Sequence, residues 1–169
     1  PLNGDYKSFF HRLVLATAWQ ESCLRQFITK DGKLRYLVSY NGSSVGLMQV
    51  NERVWRGIYR AESLRWNISY NAKAGSEILH LYLRTFALKE IKPVNPADLD
   101  TIARLTYAMY NGGPGQLKQF FKRSNAATAI QSRLDLTSGE RPIHRVRDST
   151  GVLQHRLVRG VRRIDLTLL

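Results

Sequence analysis

The sequence predicts a mainly α-helical domain with one small β-hairpin. Two kinds of pattern predict it. Apolar residues recur at helical spacing over three long segments, and an Asp-Gly pair separates two short alternating runs. The first helix is expected from Tyr6 to Ser22. Its apolar residues Phe9, Phe10, Leu13, Val14, Ala16, Ala18 and Trp19 lie nearly all round, as in a buried helix. It delivers the carboxyl group of Glu21 at its C-terminal end. A carboxylic acid held against apolar walls is harder to ionise, because charge is poorly solvated there. A general acid in glycoside cleavage needs that property.

Downstream, Asp31-Gly32 sits between Gln26–Thr29 and Lys33–Val38, and glycine tolerates the positive φ of a two-residue hairpin turn. Asn41-Gly42-Ser43-Ser44 reads as a loop, and a short helix is expected over Val50 to Tyr59. Asn67 to Leu88 reads as a long helix, with Ile68, Ala72, Gly75, Ile78, Leu79, Tyr82, Leu83 and Phe86 at helical spacing. Gly75 within it costs stability unless another part of the chain packs closely there. Pro93 and Pro96 break the chain, and Asp98 or Asp100 is expected to cap the next helix. That helix carries Leu99, Ile102, Ala103, Thr106 and Met109 on one face. Gly112-Gly113-Pro114-Gly115 is a turn. Gln116 to Arg123 and Ala126 to Leu134 are read as short helices. Arg141 to Arg163 is arginine-rich with interspersed valine and leucine, and fits either an extended tail or a short strand pair.

At 169 residues the chain suits one domain with a real core, and 43% hydrophobic content argues for a folded protein. No apolar run approaches the length that spans a bilayer. The net charge of +13 and a pI near 10.3 favour polyanionic partners such as nucleic acid, anionic lipid or cell-wall polymer. No helix-turn-helix, RNA-recognition or zinc-finger pattern points to specific nucleic-acid binding. Cys23 is the one cysteine, so no internal disulfide can form. It reads as a buried structural thiol, because His11 is too far back on the same helix to activate it. His11, His80, His144 and His155 are scattered, so no metal site is expected. No P-loop or dinucleotide fingerprint suggests a cofactor. The chain opens Pro1-Leu2-Asn3-Gly4, without Met, and no signal-peptide pattern is visible in it.

Four segments in order resemble the lysozyme-like catalytic domain of bacterial soluble lytic transglycosylases, which is akin to goose-type lysozyme. They are Ala18-Trp19-Gln20-Glu21-Ser22, then Gly46-Leu47-Met48-Gln49 running on to Val50-Asn51. The helix from Asn67 with Gly75 and Ile78-Leu79 follows, and then Tyr107-Ala108-Met109-Tyr110-Asn111-Gly112-Gly113-Pro114-Gly115. The resemblance implies an α+β lysozyme-like fold with a substrate groove. It covers about residues 10 to 123; the transglycosylase domain is read as residues 1–140, with residues 141–169 as a basic extension packed on it.

By that resemblance Glu21 is the single acid/base that cleaves the bond between N-acetylmuramic acid and N-acetylglucosamine and leaves a 1,6-anhydro sugar. Tyr110 matches the family tyrosine beside the glutamate, where its hydroxyl can orient the carboxyl. Ser22, Gly46, Leu47, Met48, Gln49 and Asn111 match positions at the sugar site. Core packing for Met48, helix-end bonding for Ser22 and turn formation for Asn111 remain open as purely structural roles. Peptidoglycan strands are the implied partner, with the basic surface available to anionic wall polymer. The implied setting is the bacterial cell envelope, with the protein a monomer and no cofactor or metal.

Two features depart from the family. Glu21 and Gly46 are further apart than usual, and the predicted hairpin fills the extra length. The usual C-terminal motif is replaced by Arg141 to Arg163. A hydrolytic muramidase needs a second acid, for which Glu52 is the nearest candidate to the groove and Asp31 sits at a turn tip. A non-catalytic binding module could use the arginine-rich tail with Trp55, Tyr59 and Trp66.

Overall fold

The computed structural model describes residues 3–125. Helix α1 spans Asn3–Ser22 and is followed by the strands β1 (Phe27–Lys30) and β2 (Lys33–Tyr36). Two short strands, β3 (Ser44–Val45) and β4 (Val50–Asn51), bracket the Gly46–Gln49 turn. Helix α2 (Ala61–Trp66) leads directly into α3 (Ile68–Tyr82). A π-helical turn, Leu83–Ala87, joins α3 to the short α4 (Leu88–Glu90). Helix α5 covers Pro96–Gly112, and residues 116–125 form a last helix, α6. The mainly helical architecture with small antiparallel two-stranded sheets is the expected one. No described helix is long and apolar enough to cross a membrane. The expected helix over 126–134, the Arg141–Arg163 segment and the 141–169 extension lie outside the described residues.

The hairpin forms where Asp31-Gly32 predicts it. Both residues are left-handed, with φ of 54° and 68°, and Phe27 pairs with Tyr36 and Lys30 with Lys33. A turn with positive φ at both central residues matches the twist of the strands it joins. Phe27 and Tyr36 then close on Trp66, with ring centroids 6.1 and 5.3 Å away. This aromatic cluster anchors the hairpin to the end of α2.

Several elements differ from the sequence expectation. Residues 50–59 form β4 and a series of turns, because Val50 and Asn51 pair with Val45 and Ser44, and the Asn51 side chain accepts from the Arg53 and Val54 amides at the start of the first turn. The helix in this region is α2, which starts only after the expected helix would have ended. The cap of α5 is Asn95, whose side chain accepts from the Asp98 amide while Asp98 accepts from the Asn95 amide. Pro96 sits in the first turn, where it lacks no needed donor. Asp100 pairs instead with Arg104 at 2.6 Å. Helix α1 is not buried all round, since His11, Arg12, Leu15 and Trp19 face solvent. Cys23 is exposed rather than buried, because Cys23 and Leu24 take left-handed conformations that end α1 and turn the chain outward.

The core runs between α1, α3 and α5, from Phe9 and Leu13 through Ile78, Leu79 and Leu83 to Ile102, Leu105 and Met109. Met48 enters it from the turn between β3 and β4 and is fully buried. It lies on Gly75, where an added Cβ would overlap Met48 Cβ and Cγ. This close approach explains a glycine in the middle of α3. Alanine normally favours a helix interior over glycine by about 1 kcal/mol. Gly75→Ala should nevertheless lower stability by about 1–3 kcal/mol, the usual cost of overpacking. The midpoint of urea unfolding measures it, and a higher midpoint than wild type would refute the packing argument.

Candidate active site

The site is built around the turn that carries Gly46-Leu47-Met48-Gln49. Its backbone is held by side chains from α1, α3 and α5 and by Gln26 of the loop between α1 and β1. Gln26 Oε1 accepts from the Leu47 amide at 2.7 Å, while its Nε2 donates to the Leu64 and Arg65 carbonyls. Asn71 Oδ1 accepts from the Met48 amide at 2.8 Å, and its Nδ2 donates to the Val45 and Leu64 carbonyls. Ser22 Oγ donates to the Leu47 carbonyl at 2.7 Å, and Tyr110 Oη donates to the Met48 carbonyl at 2.6 Å. Gln26, Asn71 and Ser22 are all buried. Polar groups buried in this way are stable only when bonded, and each of them is.

Gly46 has φ of 75°, and a Cβ there would overlap the amide groups of both Asn71 and Gln26. The position therefore admits glycine on conformational and on steric grounds. Gln49 is left-handed too, with φ of 47°, and its Nε2 donates to the Gly46 carbonyl. The turn is thus closed on itself and fixed to α1, α2, α3 and α5.

Glu21 lies at the end of α1, half-buried, and a hydroxyl donates to its Oε1 at 2.7 Å. That hydroxyl belongs to Tyr107. The tyrosine expected in this role was Tyr110, one turn later on the same face of α5, but its proton goes to the Met48 carbonyl. Tyr107 is buried against Ala16 of α1, which aims its ring at the end of that helix. Burial pushes the Tyr110 hydroxyl well above the usual phenol range, and the charge of nearby Glu21 pushes it further the same way.

A cavity of about 90 Å³ opens at this place, lined by Glu21, Ser44, Gln49, Asn51, Trp55 and Asn111 together with Val50, Ile78 and Tyr110. Glu21 is the one acidic residue in its lining. Glu52 is held by Arg65 in a two-pronged ion pair, Nε to Oε1 and Nη2 to Oε2, both 2.8 Å. Arg65 also lies over the Tyr36 ring. Asp31 stays at the hairpin turn.

The chain matches the Transglycosylase SLT domain over residues 5–132. It belongs to that family. Comparison with curated proteins and with solved structures gave no match. An SLT domain implies lytic transglycosylase-type activity, with peptidoglycan as the substrate that is bound.

Within this SLT domain the expected site residues separate by position. Glu21, Gln49, Tyr110 and Asn111 meet at the cavity. Met48 does not line it: of the two roles open to its thioether, sugar contact and core packing, the structure shows core packing on Gly75, because the turn points it inward. Ser22, matched to the sugar site with helix-end bonding as its structural alternative, gives its hydroxyl to the Leu47 and Ala18 carbonyls. Gly46 and Leu47 support the turn and are not part of the lining. The sequence reading missed Gln26, Asn71 and the part played by Tyr107. Asn71 was the most legible of these, as an amide lying in the apolar stripe of α3 between Ile68 and Ile78. Gln26 gives no such signal, since a glutamine before a strand reads as surface. Among the described residues no group of His, Cys, Asp and Glu could hold a metal.

Two predictions follow from this construction. Asn71→Ala strands the Met48 amide and the Val45 carbonyl, and each unsatisfied buried group costs about 1–3 kcal/mol, so a total loss of roughly 2–5 kcal/mol is expected in thermal unfolding. A loss below about 1 kcal/mol would mean that the turn is held otherwise. The second concerns pH. Tyr110 titrates higher in the folded than in the unfolded chain, so its stabilising effect is whole below about pH 10 and declines as pH rises above that value. The difference between the phenolate absorbance titrations of wild type and Tyr110→Phe should place this hydroxyl above the surface tyrosines. Ionisation near pH 10 would contradict it.

Proposed function

We propose that the chain is a lytic transglycosylase in which Glu21 alone serves as acid and then base. The observation that carries the reading is a cavity whose lining holds one carboxyl, that of Glu21, with a buried tyrosine hydroxyl donating to it. The carboxylic acid gives its proton to the glycosidic oxygen between N-acetylmuramic acid and N-acetylglucosamine, and the C1–O bond breaks. The resulting carboxylate takes the proton of the muramic acid C6 hydroxyl. The C6 oxygen then bonds to C1, which closes the 1,6-anhydro ring without consuming water. The substrate's N-acetyl group assists in place of an enzyme nucleophile, as in other substrate-assisted glycosidases.

Tyr107 orients the Glu21 carboxyl, and Tyr110 supports the site through the Met48 carbonyl. Gln49, Asn51 and Asn111 offer amides to the sugar's N-acetyl and hydroxyl groups, and Trp55 offers a ring face. A hydrolytic muramidase would use a second carboxylate to activate water. Glu52, the candidate for that role, is neutralised by Arg65, which favours transglycosylation. Action on peptidoglycan sets the protein in the bacterial cell envelope. The basic surface then attracts anionic wall polymer, a pull that salt weakens.

Glu21→Gln keeps the shape of the side chain and removes its proton chemistry. Mass spectrometry of digested peptidoglycan should give anhydro-muropeptides from wild type and none from Glu21→Gln. Reducing-end products would mean a hydrolase, and an active Glu21→Gln would remove Glu21 from the mechanism. Tyr107→Phe should lower kcat about tenfold, the equivalent of one hydrogen bond to a charged group, with KM little changed. A change in KM alone would assign Tyr107 to substrate binding.

A further inference from the structure

The segment between β4 and α2 carries three arginines without an ion-pair partner among the described residues, two of them next to or near residues that line the cavity. Asn51 and Trp55 of this segment line the cavity, and Arg53 and Arg56 bracket Trp55, with Arg60 at the segment's end. All three arginines are exposed. The segment is stiff. Asn51 Oδ1 accepts from the Arg53 and Val54 amides, the Trp55 amide donates to the Asn51 carbonyl, and the Ile58 and Tyr59 amides donate to the Trp55 carbonyl. The Tyr70 hydroxyl accepts from the Arg60 amide.

The neighbouring acids are engaged elsewhere: Glu52 and Glu62 bind Arg65, and Glu77 accepts from the Tyr59 hydroxyl and pairs with Lys73. Among the described residues no ion pair involves Arg53, Arg56 or Arg60. Three unneutralised guanidinium groups on a rigid rim suit carboxylate recognition, because the planar fork is always charged and loses little freedom on bonding.

We infer that Arg53, Arg56 and Arg60 bind the carboxylates of the peptide stem, so that the protein selects stem-bearing glycan over naked glycan. The inference rests on the transglycosylase reading of the same site. In peptidoglycan the stem hangs from the lactyl group of the muramic acid whose bond is cut. A cation beside the cavity is therefore near the attachment point of a stem when muramic acid occupies the site. Exposed Val54 and Ile58 on the same segment would also suit a lipid surface. The stem is favoured because the segment itself contributes Asn51 and Trp55 to the cavity.

The test compares wild type with Arg53→Gln/Arg56→Gln/Arg60→Gln on two substrates, intact peptidoglycan and the same glycan stripped of stems by an amidase. Binding is read by co-sedimentation with each polymer, in a Glu21→Gln background so that nothing is turned over, and turnover is read separately. Three exposed charge pairs predict about tenfold weaker binding and about tenfold lower kcat/KM on intact peptidoglycan. The amidase leaves a lactyl carboxylate on each muramic acid, so a smaller loss is expected on stripped strands, and the difference should vanish near 1 M salt, where screening reaches about 3 Å. Equal losses on both polymers, or none on either, would overturn the inference. So would a loss confined to binding of phosphatidylglycerol vesicles. If wild type yields no anhydro product while the binding difference persists, the catalytic reading fails and stem recognition stands.

Discussion

Two buried amides, Gln26 and Asn71, hold the site together. Each uses its oxygen to accept from the Gly46–Gln49 turn and its NH2 group to donate to carbonyls of other segments, and both reach the Leu64 carbonyl. The turn contains two left-handed residues and presents its backbone to the interior, where water cannot satisfy it. Without these amides the buried amides and carbonyls of the turn would go unpaired, a cost that a small domain of marginal stability can scarcely absorb. Because each amide bonds on both sides, the turn, the end of α2 and the hairpin are positioned as one unit.

That unit determines what Glu21 faces. Ser22, the residue after it, bonds the Leu47 carbonyl, so the end of α1 and the turn share a position. Tyr110 reaches the Met48 carbonyl from α5, while Tyr107, three residues earlier, reaches Glu21 itself. Spacing of three residues on a helix puts two side chains on one face, and one serves the scaffold while the other serves the acid. Met48 locks the arrangement from below, filling the space that Gly75 leaves on α3. Chemistry and packing are therefore coupled: the family motif around Met48 is mostly a structural device that delivers Gln49 and the neighbouring Asn51 to the cavity.

Charge is divided in the same way. Glu52 lies one residue from Asn51 of the lining, yet Arg65 occupies both of its oxygens, which leaves Glu21 as the acid of the cavity. Arg53, Arg56 and Arg60 on the adjoining rim remain unneutralised among the described residues. The cavity thus holds one carboxyl, and exposed arginines lie on the segment that contributes Asn51 and Trp55 to its lining.

Much of this was legible in the sequence. Periodicity revealed α1, α3 and α5, Asp31-Gly32 revealed the hairpin, and the ordered motifs revealed the family and the position of Glu21. These signals are local, since helical spacing, positive-φ turns and short motifs depend on neighbours along the chain. Other features escaped because spacing alone does not show which partner a strand or a side chain takes. Residues 50–59 carry helical spacing, but Val50 and Asn51 are drawn into a strand by Val45 and Ser44. Asn95 rather than Asp98 caps α5 because Pro96 holds the first turn and leaves Asp98 to complete the box. Tyr107 and Tyr110 have the same chemistry in sequence, and only the packing of α5 against Ala16 decides which one meets Glu21. By itself the sequence determined the elements, the family and the single acid of the matched motifs. The tertiary structure alone decided which polar side chains face the cavity and which support it, because a hydrogen bond across dozens of residues leaves no periodic trace.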